Sequence, residues 1–347
     1  YTITEITASE GYILDTTPHD VTLTYGGQSV ELVSESLSLD NAPQMGTITI
    51  TKTDKETGKP IVGADAVFEL RAKEDIVTAD GTIRYTKGQL IETLITKNGV
   101  VTSGLLYLGS YTITEVTAPE GDLLDDTPHD VTLVYGGQDV ELVTESLTIG
   151  NAPQMGSITI TKVDAETGKP IILSPATFEI YAAEDIITPD GTVRYIKGQL
   201  VDTLVTENGV ATSKPLYLGD YIVIETIAPE GYILDSTPHD VTLSYGGQAV
   251  ELVSESLSLD NAPQMGTITI TKVDKETGKP IVGVDAVFEL RAKADIITAD
   301  GTVRYKAGEL VDTLTTKEGV VTTGLLYLGT YTITEVTAPE GYLLDDT

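Results

Sequence analysis

The chain has 347 residues and no cysteine, with 53 acidic against 21 basic side chains and a formal net charge of −32. Such an acidic balance argues against nucleic acid or an anionic membrane surface as partner. The missing thiols exclude disulfides, thiolate metal sites and cysteine nucleophiles, so any covalent staple in an oxidising, extracellular setting has to use other chemistry.

No apolar run of about 18 residues and no signal-like start is present, so the chain reads as soluble mature sequence or a fragment of it. Its organisation is repetitive. The stretch YTITEVTAPEG at Tyr111 recurs with small changes at Tyr1, Tyr221 and Tyr331, a period of 110 residues. Residues 1–44 match 221–264 almost letter for letter, which makes 1–44 the second half of a unit, 45–154 and 155–264 complete units, and 265–347 a unit lacking its closing strands.

In chain order, the first complete unit opens with Thr47 to Lys52, TITITK, whose alternation puts Ile48, Ile50 and Lys52 on one face of a strand. KETGKP follows, with Gly58 and Pro60 marking a turn. Its charges read as a solvated loop, because no EF-hand-like spacing is present. Strands are expected at Ala66 to Ala72, Leu90 to Thr96 and Val100 to Leu108, and Asn98-Gly99 between two apolar runs signals a hairpin. Ala72 to Val77, and Ala292 to Ile297 in the last unit, could hold a short helical turn.

The strand beginning at Tyr111 puts Tyr111, Ile113 and Glu115 on one face. Ala118-Pro119-Glu120-Gly121 ends it. Val131 to Tyr135 and Asp139 to Asn151 then read as strands around the tight turn Gly136-Gly137. About seven strands punctuated by turns predict an all-β tandem array of Ig-like, prealbumin-like β-sandwiches. Only Ala152 to Met155 separate one unit from the next, a short proline-containing link that predicts a stiff succession of beads.

Three polar residues break the apolar parity. Lys52, Glu115 and Asn151 each occupy a core-facing position, and the inward asparagine persists as Asn41 and Asn261 in the other copies. A buried charge is costly unless partnered or neutralised, so such a set is improbable unless the three meet. Burial drives a carboxyl pKa up and an amine pKa down, which allows a neutral amine beside a protonated acid. The lysine could then attack the asparagine carbonyl, with Glu115 hydrogen-bonding that oxygen and shuttling protons while ammonia leaves. Contact imposed by the fold supplies an effective molarity on the order of 10⁵ M. The competing reading from parity alone is a hydrogen-bonded lysine–glutamate pair with an asparagine nearby.

The segments ITITKTDKETGKPIVGADAVFEL, LGSYTITEVTAPEG and LTIGNAP, in that order, resemble the B-type repeat domain of the staphylococcal collagen adhesin. This is the Cna-B or SpaA-like prealbumin-type domain of Gram-positive surface proteins and pilins. The resemblance implies an intramolecular isopeptide bond between the opening-strand lysine and the closing-strand asparagine, assisted by the glutamate of E-x-x-A-P-x-G. Carried over, the sets are Lys52, Glu115 and Asn151, then Lys162, Glu225 and Asn261. Ser9 stands where the motif has proline and Asp122 where it has tyrosine, and neither is expected to touch the triad. The family's pilin lysine motif and sortase signal have no counterpart in these residues.

The terminal segments are complementary. The first holds Glu5 and Asn41 without a lysine strand, the last Lys272 and Glu335 without a closing strand. Residues 11–44 of one molecule could complete the last segment of another and permit a Lys272–Asn41 bond, giving head-to-tail filaments. The other reading is that both ends belong to a longer protein. His19, His129 and His239 recur in TPHDVTL and read as surface turn positions, with no metal role. Tyr25-Gly26-Gly27 reads as a hairpin turn. The expected function is a cell-surface stalk, with neighbouring repeats as partners, no cofactor, and no enzyme activity beyond a single self-modification. The alternative is an adhesin module whose loops bind a host matrix protein or glycan.

Overall fold

In the computed structural model, residues 1–345 are described, so the last two residues of the segment 265–347 lie outside the description. The chain divides into two compact units. One comprises Tyr1–Met155 with Ile187–Arg194 and Ser244–Val253; the other comprises Gly156–Ile186, Tyr195–Leu243 and Ser254–Thr347. No helix is long and apolar enough to cross a membrane among the described residues.

In the first unit, residues 45–154 form a two-sheet sandwich. One sheet has the antiparallel order His129–Leu133, Gly109–Thr117, Val67–Ala72, Leu90–Ile95. The other runs Leu142–Asn151, Met45–Asp54, Val100–Thr102, with Leu106–Tyr107 also paired to Met45–Asp54. Threonines on the outer faces and β-branched or aromatic residues within suit a pleated, half-buried surface. Ile48, Ile50, Phe68, Leu70, Tyr111 and Ile113 are all fully buried in the core between the sheets.

The opening strand Met45–Asp54 and the closing strand Leu142–Asn151 run parallel, in register from Met45 opposite Leu142 to Asp54 opposite Asn151. Parallel neighbours cannot be joined by a tight turn, and here the rest of the repeat forms the crossover. First and last strands therefore lie side by side, and Asn151 reaches the face that carries Lys52.

Several local expectations need correction. Ala72 to Val77 holds no helical turn: Ile76–Val77 pairs with Ile83–Tyr85 as a small antiparallel ribbon, and Ile296–Ile297 pairs with Val303–Tyr305. The single strand expected over Val100 to Leu108 is broken into Val100–Thr102 and Leu106–Tyr107 around Ser103, whose hydroxyl accepts from Ile48 N and donates to Gly104 O. Eight strands make up the two sheets, one more than expected. The Asn98-Gly99 turn is present, with φ of 51° and 79°, the signs a two-residue type I′ hairpin requires. A Cβ on Gly99 would also stand 2.9 Å from Ile61 O.

The second unit holds the corresponding sheet Leu200–Val205, Thr177–Ala182, Gly219–Ile227, His239–Leu243. It also holds the three-stranded sheet Leu310–Thr315, Val287–Ala292, Tyr331–Thr337.

Candidate functional site

Lys52, Glu115 and Asn151 meet in the core of the first unit, with relative exposures of 0, 1 and 1%. Strand alternation points each inward. A β-bulge between Glu115 and Thr117, opposite Phe68 and Val67, ends the regular ladder directly after the glutamate, a feature common where a sheet must aim a functional side chain.

The glutamate is the hub. Its Oε1 lies 2.9 Å from Lys52 Nζ, and its Oε2 accepts from Asn151 Nδ2 at 2.9 Å and from Asp125 N at 3.3 Å. Lys52 Nζ also donates to Asn151 Oδ1 and sits 5.7 Å from the centre of the Phe68 ring. Burial pulls the Lys52 pKa below the usual lysine value, while the neighbouring Glu115 charge opposes the fall. One detail departs from expectation. Glu115 bonds the carboxamide nitrogen, and the oxygen is taken by the lysine. The amide N–H is the donor of the carboxamide, and here it faces the Glu115 oxygen.

In the second unit Lys162, Glu225 and Asn261 are exposed by only 1, 2 and 2%. Lys162 Nζ lies 3.3 Å from Glu225 Oε1, and Asn261 Nδ2 donates to Glu225 Oε2 at 2.8 Å and to Ile233 O at 2.6 Å. Asn261 Oδ1 is buried with no hydrogen-bond partner. Lys162 is likewise held below the ordinary lysine range by burial, against the Glu225 charge.

Two further sets are partial. Asn41 Nδ2 donates to Glu5 Oε2 at 2.6 Å and to Ile13 O at 2.8 Å, repeating the carboxamide half of the arrangement. Lys272 Nζ lies 2.8 Å from Glu335 Oε1, with the lysine side chain 19% exposed. No asparagine bonds Glu335 and no lysine bonds Glu5 among the described residues. No cluster of three or more histidine, aspartate or glutamate side chains that could hold a metal occurs among them either.

Sequence reasoning missed several polar contacts of the first unit outside the triad. The KETGKP turn is not simply solvated: Asp54 Oδ1 caps it by accepting from Glu56 N and Thr57 N at 2.8 and 2.7 Å. Thr57 then donates to Asp190 Oδ2 at 2.8 Å, and Arg194 pairs with Asp54 and Glu56, both at 2.8 Å. Gln154, 1% exposed, accepts from Gly246 N and donates to Gly247 O at 2.8 and 2.9 Å. Recurrence of Gln44, Gln154 and Gln264 after each NAP was the available signal.

Asp122 also proves consequential. It is fully buried, and neither of its oxygens has a hydrogen-bond partner. The copy in the second unit has Tyr232, whose hydroxyl donates to Asp164 Oδ2 at 2.7 Å. At Asp122, burial first and the Asp54 charge second push the pKa up to about 7, with Lys52 pulling the other way. Asp122 therefore bears on Lys52 through charge, without a hydrogen bond to the triad.

A family profile described as the SpaA prealbumin-like fold domain matches residues 46–146, 156–256 and 266–347. The chain belongs to the SpaA prealbumin-like domain family. Among solved structures, the Bacillus anthracis TIE protein is 25% identical with a TM-score of 0.61, over 91% of this chain and 50% of that one. This SpaA-family chain thus spans about half the length of that relative. A streptococcal ancillary pilin is 22% identical (TM-score 0.26; 76% of this chain, 75% of that one). The shaft pilin SpaA from Lactobacillus rhamnosus GG is 16% identical (TM-score 0.24; 64% of this chain, 98% of that one). No curated protein matches the sequence.

Proposed function

We propose that this SpaA-family chain is a structural stalk segment of a bacterial cell-surface protein, and that each complete repeat is locked by a self-formed amide between its opening-strand lysine and closing-strand asparagine. The supporting observation is the double contact of Glu115: one carboxylate oxygen on the nucleophilic nitrogen, the other on the nitrogen that has to leave. A single acid–base group spanning both nitrogens is what an amide exchange needs.

The neutral Lys52 amine attacks Asn151 Cγ. As the Nζ–Cγ bond forms, Glu115 takes a proton from Nζ and returns one to Nδ2; the Cγ–Nδ2 bond breaks and ammonia departs. The lysine is consumed, so the glutamate acts once and the chain is not a turnover enzyme. The same roles fall to Lys162, Glu225 and Asn261. The bond would close a loop whose ends are 99 residues apart, worth roughly 4 to 5 kcal/mol on chain-entropy grounds. Because it joins adjacent first and last strands, pulling force would pass through the bridge and leave the sheets unloaded, raising kinetic stability.

Assembly with neighbouring subunits belongs to the same proposal. Lys272 with Glu335 lacks a carboxamide, and Asn41 with Glu5 lacks a lysine. Bonding between two molecules would appear as a ladder on denaturing gels, and monomer bands alone would refute it. Intact mass spectrometry tests the main reading: each complete repeat should lack the mass of one ammonia, and a chain at its full sequence mass would overturn it.

A further inference from the structure

In the second unit the reaction centre is not sealed. A cavity of about 240 Å³ opens beside it, lined by Lys162, Phe178, Glu225, Asp235, His239 and Asp260 among others. His239 lies opposite Val223 in the antiparallel pair formed with the glutamate strand. Cross-strand partners share a face, so the imidazole stands on the inward side, diagonal to Glu225 two residues along. The surface-turn reading of this histidine is therefore wrong: it opens a strand, His239–Leu243, and is half-buried.

The histidine has a fixed anionic neighbour. Asp235 N donates to Glu225 Oε2 at 3.3 Å, and its carboxylate accepts from Thr237 N at 3.0 Å. That hydrogen bonding, with smaller contributions from the nearby His239 and Lys162 charges, keeps Asp235 below the usual carboxylate range. The first unit repeats the strand pairing and the aspartate contact. His129 lies opposite Ile113, Asp125 N donates to Glu115 Oε2, and His129 Nε2 is buried with no hydrogen-bond partner. The N-terminal copy places His19 Nε2 3.7 Å from Asp15 Oδ2. An imidazole nitrogen left unpartnered beside a centre that must release a base is unexplained by packing.

Resting on the amide-forming reading, we propose that His239, which lines the cavity together with Asp235, is the proton donor that traps the ammonia expelled from Asn261, and that His129 serves Asn151. Ammonia released from Cγ enters the cavity and takes a proton from the His239 ring; ammonium leaves, and the ring regains a proton from water at the cavity mouth. No electrons are transferred, and the only co-reactant is a solvent proton. Trapping matters because free ammonia held against the new amide is the nucleophile of the reverse reaction. The other charged groups facing this path are Lys162, Glu225 and Asp260.

The test uses the full chain made by cell-free synthesis, sampled over time by mass spectrometry of the two crosslinked peptides. In His239→Ala, closure of Lys162–Asn261 is expected to slow by at least about tenfold, within the usual range for a lost acid–base group. Closure of Lys52–Asn151 in the same molecule stays at the wild-type rate and controls for synthesis and folding. Added imidazole restores the slowed closure in proportion to its protonated fraction, and His239→Gln, which leaves no space for it, is slow and unrescued. An unchanged rate in His239→Ala, or slowing that imidazole does not relieve, overturns the inference while leaving the amide reading intact. Absence of ammonia loss at both lysines in the wild-type chain overturns the amide reading and this inference with it.

Discussion

The centre at Lys52 and the pair at Lys272 contain the same lysine and glutamate on equivalent strands, yet only one is dry. In the first, Met45–Asp54 is one continuous strand against its parallel partner, and Ile48, Ile50 and Lys52 are fully buried. In the second, the equivalent stretch is broken into Met265–Gly266 and Thr269–Thr271, no strand covers its outer edge among the described residues, and Lys272 is 19% exposed. The closing strand thus supplies more than the carboxamide. It also excludes water from the lysine, and on the amide-forming proposal it would provide reactant and reaction medium together.

The strongest way to break this contrast is to remove the carboxamide without removing the strand. Asn151→Ala should abolish the bridge, costing roughly 4 to 5 kcal/mol in loop entropy, and it leaves a buried lysine–glutamate pair with an unmet bond. The expected result is a large drop in the denaturant midpoint of the first repeat, with the second repeat unaffected.

A smaller effect isolates Asp122. Its folded pKa is about 7 against an ordinary 3.8, so between those values the folded state holds a proton that the unfolded state has released. Stability therefore falls as pH rises through that window and levels off above it, by an amount on the order of 4 kcal/mol. Melting the chain from pH 5 to pH 8 should show the first unit losing stability, and Asp122→Asn should flatten the curve. A wild-type profile already flat over that range would show that the carboxyl finds a partner in solution.

Smaller again is Gln154→Ala, which strips the hydrogen bonds to Gly246, Gly247 and Val250 and hands those partly exposed backbone groups to water, at about 1 kcal/mol. Hydrogen exchange at Gly246 should rise. Least costly is a labelling comparison. An amine-acylating reagent should modify Lys272 readily and leave Lys52 and Lys162 untouched in the folded chain; equal labelling would contradict the burial difference.

Much of the centre was legible because a period of two is enforced wherever one sheet face is buried. Lys52, Glu115 and Asn151 stood out as polar residues on apolar parity, and all three are inward. What periodicity cannot encode is which distant strand lies beside which. The parallel pairing of Met45–Asp54 with Leu142–Asn151, the docking of KETGKP through Thr57 and Arg194, and the inward turn of His129 all depend on such non-local registers. The ribbon at Ile76–Val77 was misread because a two-residue strand is too short to show any period. Asp122 looked harmless because its effect comes from burial against Asp54, 68 positions earlier in the sequence.

The most direct measurement of the central claim is the intact mass of the wild-type chain beside Glu115→Ala. The account predicts a wild-type mass short by two ammonias, one for each complete repeat, and a variant short by one, with its Lys52–Asn151 crosslinked peptide missing. A wild-type chain at full mass, or a Glu115→Ala chain that loses both ammonias as readily as the wild type, would contradict it.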